Sequence, residues 1–526
     1  MKINSLCSFL LLAALCLSAF DARATVQLAS PFTSHMVLQC DLPVPVWGWA
    51  APGETVTVKF AGQIATTQAD ADGHWRVDLH PLMAWSEGQT FTVTGSQTAE
   101  PIRLEDVLVG EVWLASGQSN MDFSVSKKAK YFAGVTNEDA EIAAANYPLI
   151  RMFTGNYAKL YAPTNRITGE WKVCTPDTVP AFSAVGYFFA RDLQRATNVP
   201  VGIVTLAFGA STAEAWIRRD ALAADPRLKP FLDSFDAKVQ AFRTNPPPVV
   251  LAPRSEDVSA KETNSASVTT NAVPGRRRRA PAAHDPVQDQ HNATVLFNGM
   301  IAPVIPYAIR GVIWYQGESI VGGAAGRALY PHVQATLVRD WRALWGEGDF
   351  PFYIVQLAGQ DADSNNPLVR EAQATILKLP HTGMAVTTDI GERKNVHPKN
   401  KQDVGDRLAR IALAQVYGRD LEYSGPVYES MQVEGDKIRL KFSHLGGGLV
   451  ARGGPLKWFT IAGADGKFVP ADATIDGDTV LVRSDAVSAP TAVRYAWVNY
   501  PEGCNLFNAA GLPAPQFRTD APDVAL

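Results

Sequence analysis

Three patterns of apolar and polar positions follow one another along the chain. From Val26 to about Arg103, short runs alternate apolar with polar residues, as in Thr55-Val56-Thr57-Val58-Lys59-Phe60 and Thr90-Phe91-Thr92-Val93-Thr94, with Pro-Gly and Asp-Gly turns between them. A period of two broken by such turns predicts half-buried strands of a small β-sandwich. The pattern then changes to continuous apolar runs at 107–114, 201–206, 311–315, 352–356 and 384–387, with helical spacing at 185–196 and 330–344 between them. Unbroken apolar strands are covered on both faces, so the expected fold class is α/β, a three-layer domain with a mainly parallel sheet. From Gly425 onward the alternation returns at 437–442, 479–482 and 492–497, which predicts a C-terminal β-sandwich segment, either a second module or the partner of the first.

One stretch obeys none of these patterns. Residues 245–290 contain Pro246-Pro247-Pro248, few apolar positions and no periodicity, and are expected to form a long mobile insertion. The expected division is therefore a leader at 1–24, β-sandwich segments at 25–103 and 425–526, and the α/β domain at 104–424 between them. The leader is read from Lys2, the apolar run from Leu6 to Phe20 and the small-x-small sequence Ala22-Arg23-Ala24, a secretory signal with its cleavage site. Its apolar run falls short of the roughly 20 residues that span a bilayer, so an exported protein without membrane insertion is expected, in the periplasm or the medium.

Composition narrows the picture a little further. With 46% hydrophobic and 19% charged residues the chain is ordinary globular protein, large enough for more than one core. A net charge of -4 argues against a nucleic-acid partner, and the one basic cluster, Arg276 to Arg279, reads as a solvated loop within the insertion. Cys7 and Cys16 would leave with the leader, so Cys40, Cys174 and Cys504 allow one disulfide at most. Oligomeric state is not legible.

The chemistry is concentrated where apolar runs stop. Parallel sheets place their sites at the carboxyl ends of the strands, and Ser119, Gly209 and Gln316 each follow one of those ends. A serine hydrolase needs a hydroxyl, a base for its proton and fixed donors for the oxyanion of the tetrahedral intermediate. Ser119 in Gly117-Gln118-Ser119-Asn120 is the candidate nucleophile, although that sequence alone is also an ordinary turn. His397, in a polar loop ahead of a helix that opens near Asp403, is the candidate base. Gly209, whose backbone N–H can approach a ligand closely, and the Gln316 side chain are the candidate oxyanion donors. The remaining histidines lack metal-ligand spacing, such as two on one helical face, so zinc chemistry is a poor alternative.

At these residues the chain resembles the sialate O-acetylesterase-like members of the SGNH (GDSL-type) hydrolases. Gly-Gln-Ser-Asn-Met at 117–121 resembles the nucleophile block, Phe-Gly-Ala-Ser-Thr-Ala-Glu-Ala-Trp at 208–216 the glycine block, Ile-Trp-Tyr-Gln-Gly-Glu-Ser at 313–319 the third block, and His-Pro-Lys-Asn-Lys at 397–401 the histidine block. The likeness extends into both β flanks, through His35-Met36-Val37-Leu38-Gln39 and Arg494-Tyr495-Ala496-Trp497. It implies an SGNH-type domain and hydrolysis of acetyl esters on sugar hydroxyls, on a plant wall glycan such as xyloglucan or on sialic acid, without a cofactor. Gln118, Asn120 and Glu318, beside the catalytic candidates in these blocks, are expected to bind substrate.

Three positions depart from the family pattern. Lys394 stands where an orienting aspartate is usual, three residues before the histidine, and Asn395 carries no charge either. The expectation is a Ser119–His397 dyad whose ring is held by a main-chain carbonyl near Asn395, with Asp389 or Glu392 as the side-chain alternative. Ala210 replaces a second glycine, and Ile320 a polar residue. Rival readings are an esterase for longer acyl chains and a glycan-binding protein whose hydrolase-like domain is inactive. A peptidase fits least, because Gly-x-Ser-x-Gly is absent around Ser119.

Overall fold

The computed structural model describes residues 25–130, 134–244, 284–320, 323–361, 366–520 and 526. The expected leader at 1–24 and the 245–283 part of the expected insertion lie outside the described residues.

The centre is a sheet whose strands run in the order Gly169–Cys174, Tyr147–Gly155, Val201–Ala207, Ile102–Gly117, Gly311–Tyr315, Phe352–Val355 and Thr382–Ala385. All neighbours are parallel except the edge strand Gly169–Cys174, which is antiparallel to Tyr147–Gly155. The sheet is thus mixed, and the five continuous apolar runs all fall in its parallel part. Alternate residues of each central strand enter different cores, as full coverage of both faces demands. Val112 and Leu114 pack with Val312, Trp314 and Trp341 on one side. Trp113 and Ala115 pack with Ile203, Phe188 and Leu408 on the other. The second side is closed by the helices Ala184–Thr197 and Gln402–Gln415, and Gly323–Trp345 contributes Trp341 to the first.

Two strands of the sheet have no counterpart in the sequence reading. Tyr147–Gly155 contains Pro148 and Arg151, which break an apolar run, yet Arg151 is 4% exposed because its guanidinium pairs with Asp106. A charge can be buried in a strand when a partner satisfies it, and a pattern of apolar positions does not register that. The last of the five runs is also displaced: the run expected at 384–387 is the strand Thr382–Ala385, since Gly383 and Thr382 pair with Tyr353 and Phe352.

The N-terminal segment does not stand apart from this sheet. Ile102–Gly117 pairs antiparallel with Trp85–Gly95 over its first half and parallel with Val37–Gln39 at 108–110 before entering the central sheet. The C-terminal strands, including Lys437–Ser443, Thr479–Arg483 and Ala492–Tyr495, enclose a core of their own around Leu440, Ile461, Val480 and Tyr495. Buried Arg370 ties that segment to the α/β region by donating to the carbonyls of Val498 and Asn499 and to Gln516 Oε1.

Candidate active site

The register of the central strands brings three chain ends together. Gly117 lies opposite Ala207 on one side and Tyr315 on the other, so the turns carrying Ser119, Gly209 and Gln316 leave the sheet at one edge. Gly117 itself has φ +132°, and a Cβ there would sit 2.2 Å from the carbonyl oxygen of Tyr315. Only glycine lets the serine strand turn so close to its neighbour. The turn is pinned by Gln118 N–H to Tyr315 O (2.9 Å) and Phe208 N–H to Gly117 O (3.0 Å). Ser119 then opens the short helix Ser119–Asp122, whose Met121 and Asp122 amides both bond to Gln118 O.

His397 arrives from the far end of the domain. Its Nε2 lies 2.8 Å from Ser119 Oγ, a hydrogen bond between residues 278 positions apart. The loop that presents the ring is held by Glu392 and Asn395. Glu392 accepts from Asn395 Nδ2 (3.0 Å) and Lys399 N–H (2.8 Å), while Asn395 accepts from His397 N–H (3.0 Å) and donates to His397 O (2.8 Å). Both backbone groups of the histidine are therefore fixed by one side chain. Burial, and then the nearby ammonium of Lys401, lower the imidazole's pKa from 6.5 to about 4. A neutral imidazole within hydrogen-bond reach of a hydroxyl can take its proton.

Asp389 is engaged elsewhere. Both its oxygens receive the guanidinium of Arg407, at 2.7 Å each, in a buried bidentate pair, which corrects the expectation of Asp389 as a side-chain orienter. A carboxylate saturated by an arginine fork anchors the helix Gln402–Gln415 instead. Glu392 likewise has both oxygens engaged within its own loop.

Gln316 is 1% exposed and tightly held: its Oε1 accepts from Tyr330 OH (2.7 Å), and its Nε2 donates to Ser211 O (3.1 Å). One amide hydrogen thus ties it to the glycine turn, and the second remains for another acceptor. The Gly209 N–H has no acceptor among the described residues. Ala210 adopts φ +54°, a left-handed conformation, which explains why a glycine suits this position. The Ser119 N–H stands at a helix start, where amides lack intrahelical partners, and sequence reasoning overlooked it as a donor although a strand-turn-helix serine implies it.

The residues expected to bind substrate prove to be scaffolding in part. Gln118 is 2% exposed and its Oε1 accepts from Gly317 N–H (3.2 Å) and Ser319 N–H (3.3 Å). Asn120, 1% exposed, donates to Glu318 Oε1 and to Val396 O and accepts from Lys401 Nζ (2.6 Å). Their side chains join the nucleophile block to the third block and the histidine loop rather than face a ligand, a correction whose cause is burial. Glu318 does line a cavity of about 240 Å³ beside the histidine loop, with Gly317, Arg327, Gln360, Asn395 and Val396. Burial raises its pKa. Trp113, Trp216, Trp314 and Tyr315 are all fully buried, so these aromatics belong to the core and offer no face to a sugar.

The comparisons with known proteins agree with one another. The model of the family described as carbohydrate esterase, sialic acid-specific acetylesterase, matches residues 289–414, which include the third and histidine blocks. Sialate O-acetylesterase of Mus musculus is 28% identical, covering 93% of this chain and 93% of its own, and that of Homo sapiens 27% identical, covering 93% and 91%. A solved structure described as a novel carbohydrate acetylesterase from Xanthomonas citri is 37% identical, with a TM-score of 0.77 over 94% of this chain and 100% of that one. The chain belongs to the carbohydrate acetylesterase family. As a member of that family it is a carbohydrate O-acetylesterase, and its substrate is an acetylated carbohydrate. Ser119 and Gly209 of this acetylesterase lie outside the residues that the family model matches, whereas Gln316 and His397 lie within them. Among its described residues no helix is long and apolar enough to cross a membrane.

Proposed function

We propose that this acetylesterase is an SGNH-type serine hydrolase that deacetylates sugar hydroxyls through an acetyl-enzyme. His397 Nε2 takes the proton of Ser119 as Oγ attacks the acetyl carbonyl, and the imidazolium returns it to the departing sugar oxygen. Water then attacks the acetyl-serine with the same base, releasing acetate and restoring the hydroxyl. The oxyanion of each tetrahedral intermediate is held by the Ser119 and Gly209 N–H groups and the second amide hydrogen of Gln316. The observation that carries this reading is the 2.8 Å contact between Ser119 Oγ and His397 Nε2.

The substrate is a glycan met after export, as the expected leader implies, either a wall polysaccharide such as xyloglucan or a sialic acid. Relatives named for sialate lie at 27–29% identity, and Arg327, whose buried Nε has no partner among the described residues, lines the same cavity as Glu318. A sugar carboxylate would use that group. Acetate release from O-acetylated sialic acid and from acetylated neutral wall glycans, measured side by side, separates the two. Ser119→Ala tests the chemistry: a loss of at least ~10³-fold in kcat is expected, by analogy with nucleophile removal in other serine hydrolases. Wild-type turnover in that variant would remove Ser119 from the mechanism. An inactive wild type that binds acetylated glycan tightly would favour the glycan-binding reading.

A further inference from the structure

Lys401 has no place in the mechanism above, and both its burial and its place in the helix are unfavourable for a cation. It is fully buried. It also stands at the N-cap of the helix Gln402–Gln415, where the helix dipole opposes a cation. Burial drives its pKa down to about 7, with Glu318 and then Glu392 acting against that fall. A lysine held against desolvation and dipole together calls for a compensating role.

Its contacts show what that role is. The ammonium donates to Asn120 Oδ1 at 2.6 Å and lies over the rings of Phe123 (4.7 Å) and Tyr315 (5.4 Å). An ammonium has no acceptor lone pair, so the amide oxygen of Asn120 must face it. The NH₂ then points the other way, and its two hydrogens go to Glu318 Oε1 and to the carbonyl of Val396. Asn120 is the residue after the serine, and Val396 the residue before the histidine. The amide is thus a direct tether between the two loops whose side chains meet at 2.8 Å.

We propose that Lys401 is a positioning residue that fixes the orientation of the Asn120 amide and, through it, the separation of Ser119 from His397. Without the ammonium, the amide is free to flip, and its oxygen would then face two acceptors and push the loops apart. Glu318 completes the arrangement as the carboxylate that accepts on the far side. This assignment rests on the serine–histidine reading of the site.

The test uses the whole chain and a phosphonofluoridate, whose phosphorus is attacked by the serine oxygen as fluoride leaves, so that labelled protein counts competent sites. Labelling of the wild type at Ser119 checks the reading of the site, and its failure would overturn both. Lys401→Met is expected to lower kcat per labelled site on the order of 10²-fold, the usual cost of misplacing reacting groups by about 1 Å, with KM changed less than about threefold. A merely structural lysine would lower the number of labelled sites or the melting temperature and leave kcat per site alone. Because the single change strands Glu318 without its opposite charge, Lys401→Met/Glu318→Gln removes both charges and serves where the single variant does not fold. Wild-type kcat per labelled site in either variant overturns the proposal.

Discussion

Acidification tests the electrostatics of the histidine most directly. A base with an ordinary histidine pKa of 6.5 would be only about 3% neutral at pH 5, whereas one near 4 is about 90% neutral, a difference of roughly 30-fold in the reactive form. The lower value follows from burial of the ring and from the ammonium of Lys401 nearby. With His397 as the base, kcat/KM for an acetylated sugar should stay nearly level from pH 7 down to 5 and fall with a midpoint near 4. Acetate release between pH 3.5 and 8 measures this, with circular dichroism at each pH to confirm that the protein is folded. The sign for stability follows from the same shift. The unfolded chain takes up the proton first as pH falls, so the contribution of this group is full above about 6.5 and is lost progressively down to about 4. An acid limb with its midpoint at 6 to 7 in folded protein would refute the argument, because it would mean that neither burial nor the lysine acts on the ring.

Two further outcomes follow from the structure. Asp389→Asn should leave kcat within about tenfold of wild type, against the ~10⁴-fold loss seen when an orienting acid is neutralised, while breaking its buried pair with Arg407 lowers stability by up to about 3–5 kcal/mol. Steady-state kinetics and thermal melting separate the two effects. Ala210→Gly removes a left-handed alanine, which costs about 1–2 kcal/mol, at an entropic cost of roughly 0.5–1 kcal/mol, so denaturant titration should show a variant equal to or up to about 1.5 kcal/mol more stable.

Much of this site is legible before folding because its parts sit at strand ends, and apolar runs that stop at small polar turns mark those ends. The runs ending before Ser119, Gly209 and Gln316 are such places, and register alone then brings them to one edge. What the pattern hides is pairing. Arg151 looks like an interruption until Asp106 is seen beside it, and Asp389 looks available until Arg407 occupies both its oxygens. Gln118 and Asn120 lie beside the nucleophile in sequence, yet their polar atoms turn inward to other blocks, a direction that no spacing encodes. Lys401 is the extreme case: in sequence it is one more polar loop residue, and only its complete burial sets it apart.

The strand Ile102–Gly117 belongs at once to the N-terminal sheet and to the central one. Because side chains alternate with a period of two, a single residue inserted or deleted within it would exchange the faces of Val112 and Trp113 and swing the serine turn away from its partners. The outer sheet therefore acts as a gauge of length for the nucleophile. Lineages of this enzyme should accept insertions at hairpin tips such as Ala61-Gly62, between Thr55–Phe60 and Gln63–Gln68, and show none along the shared strand.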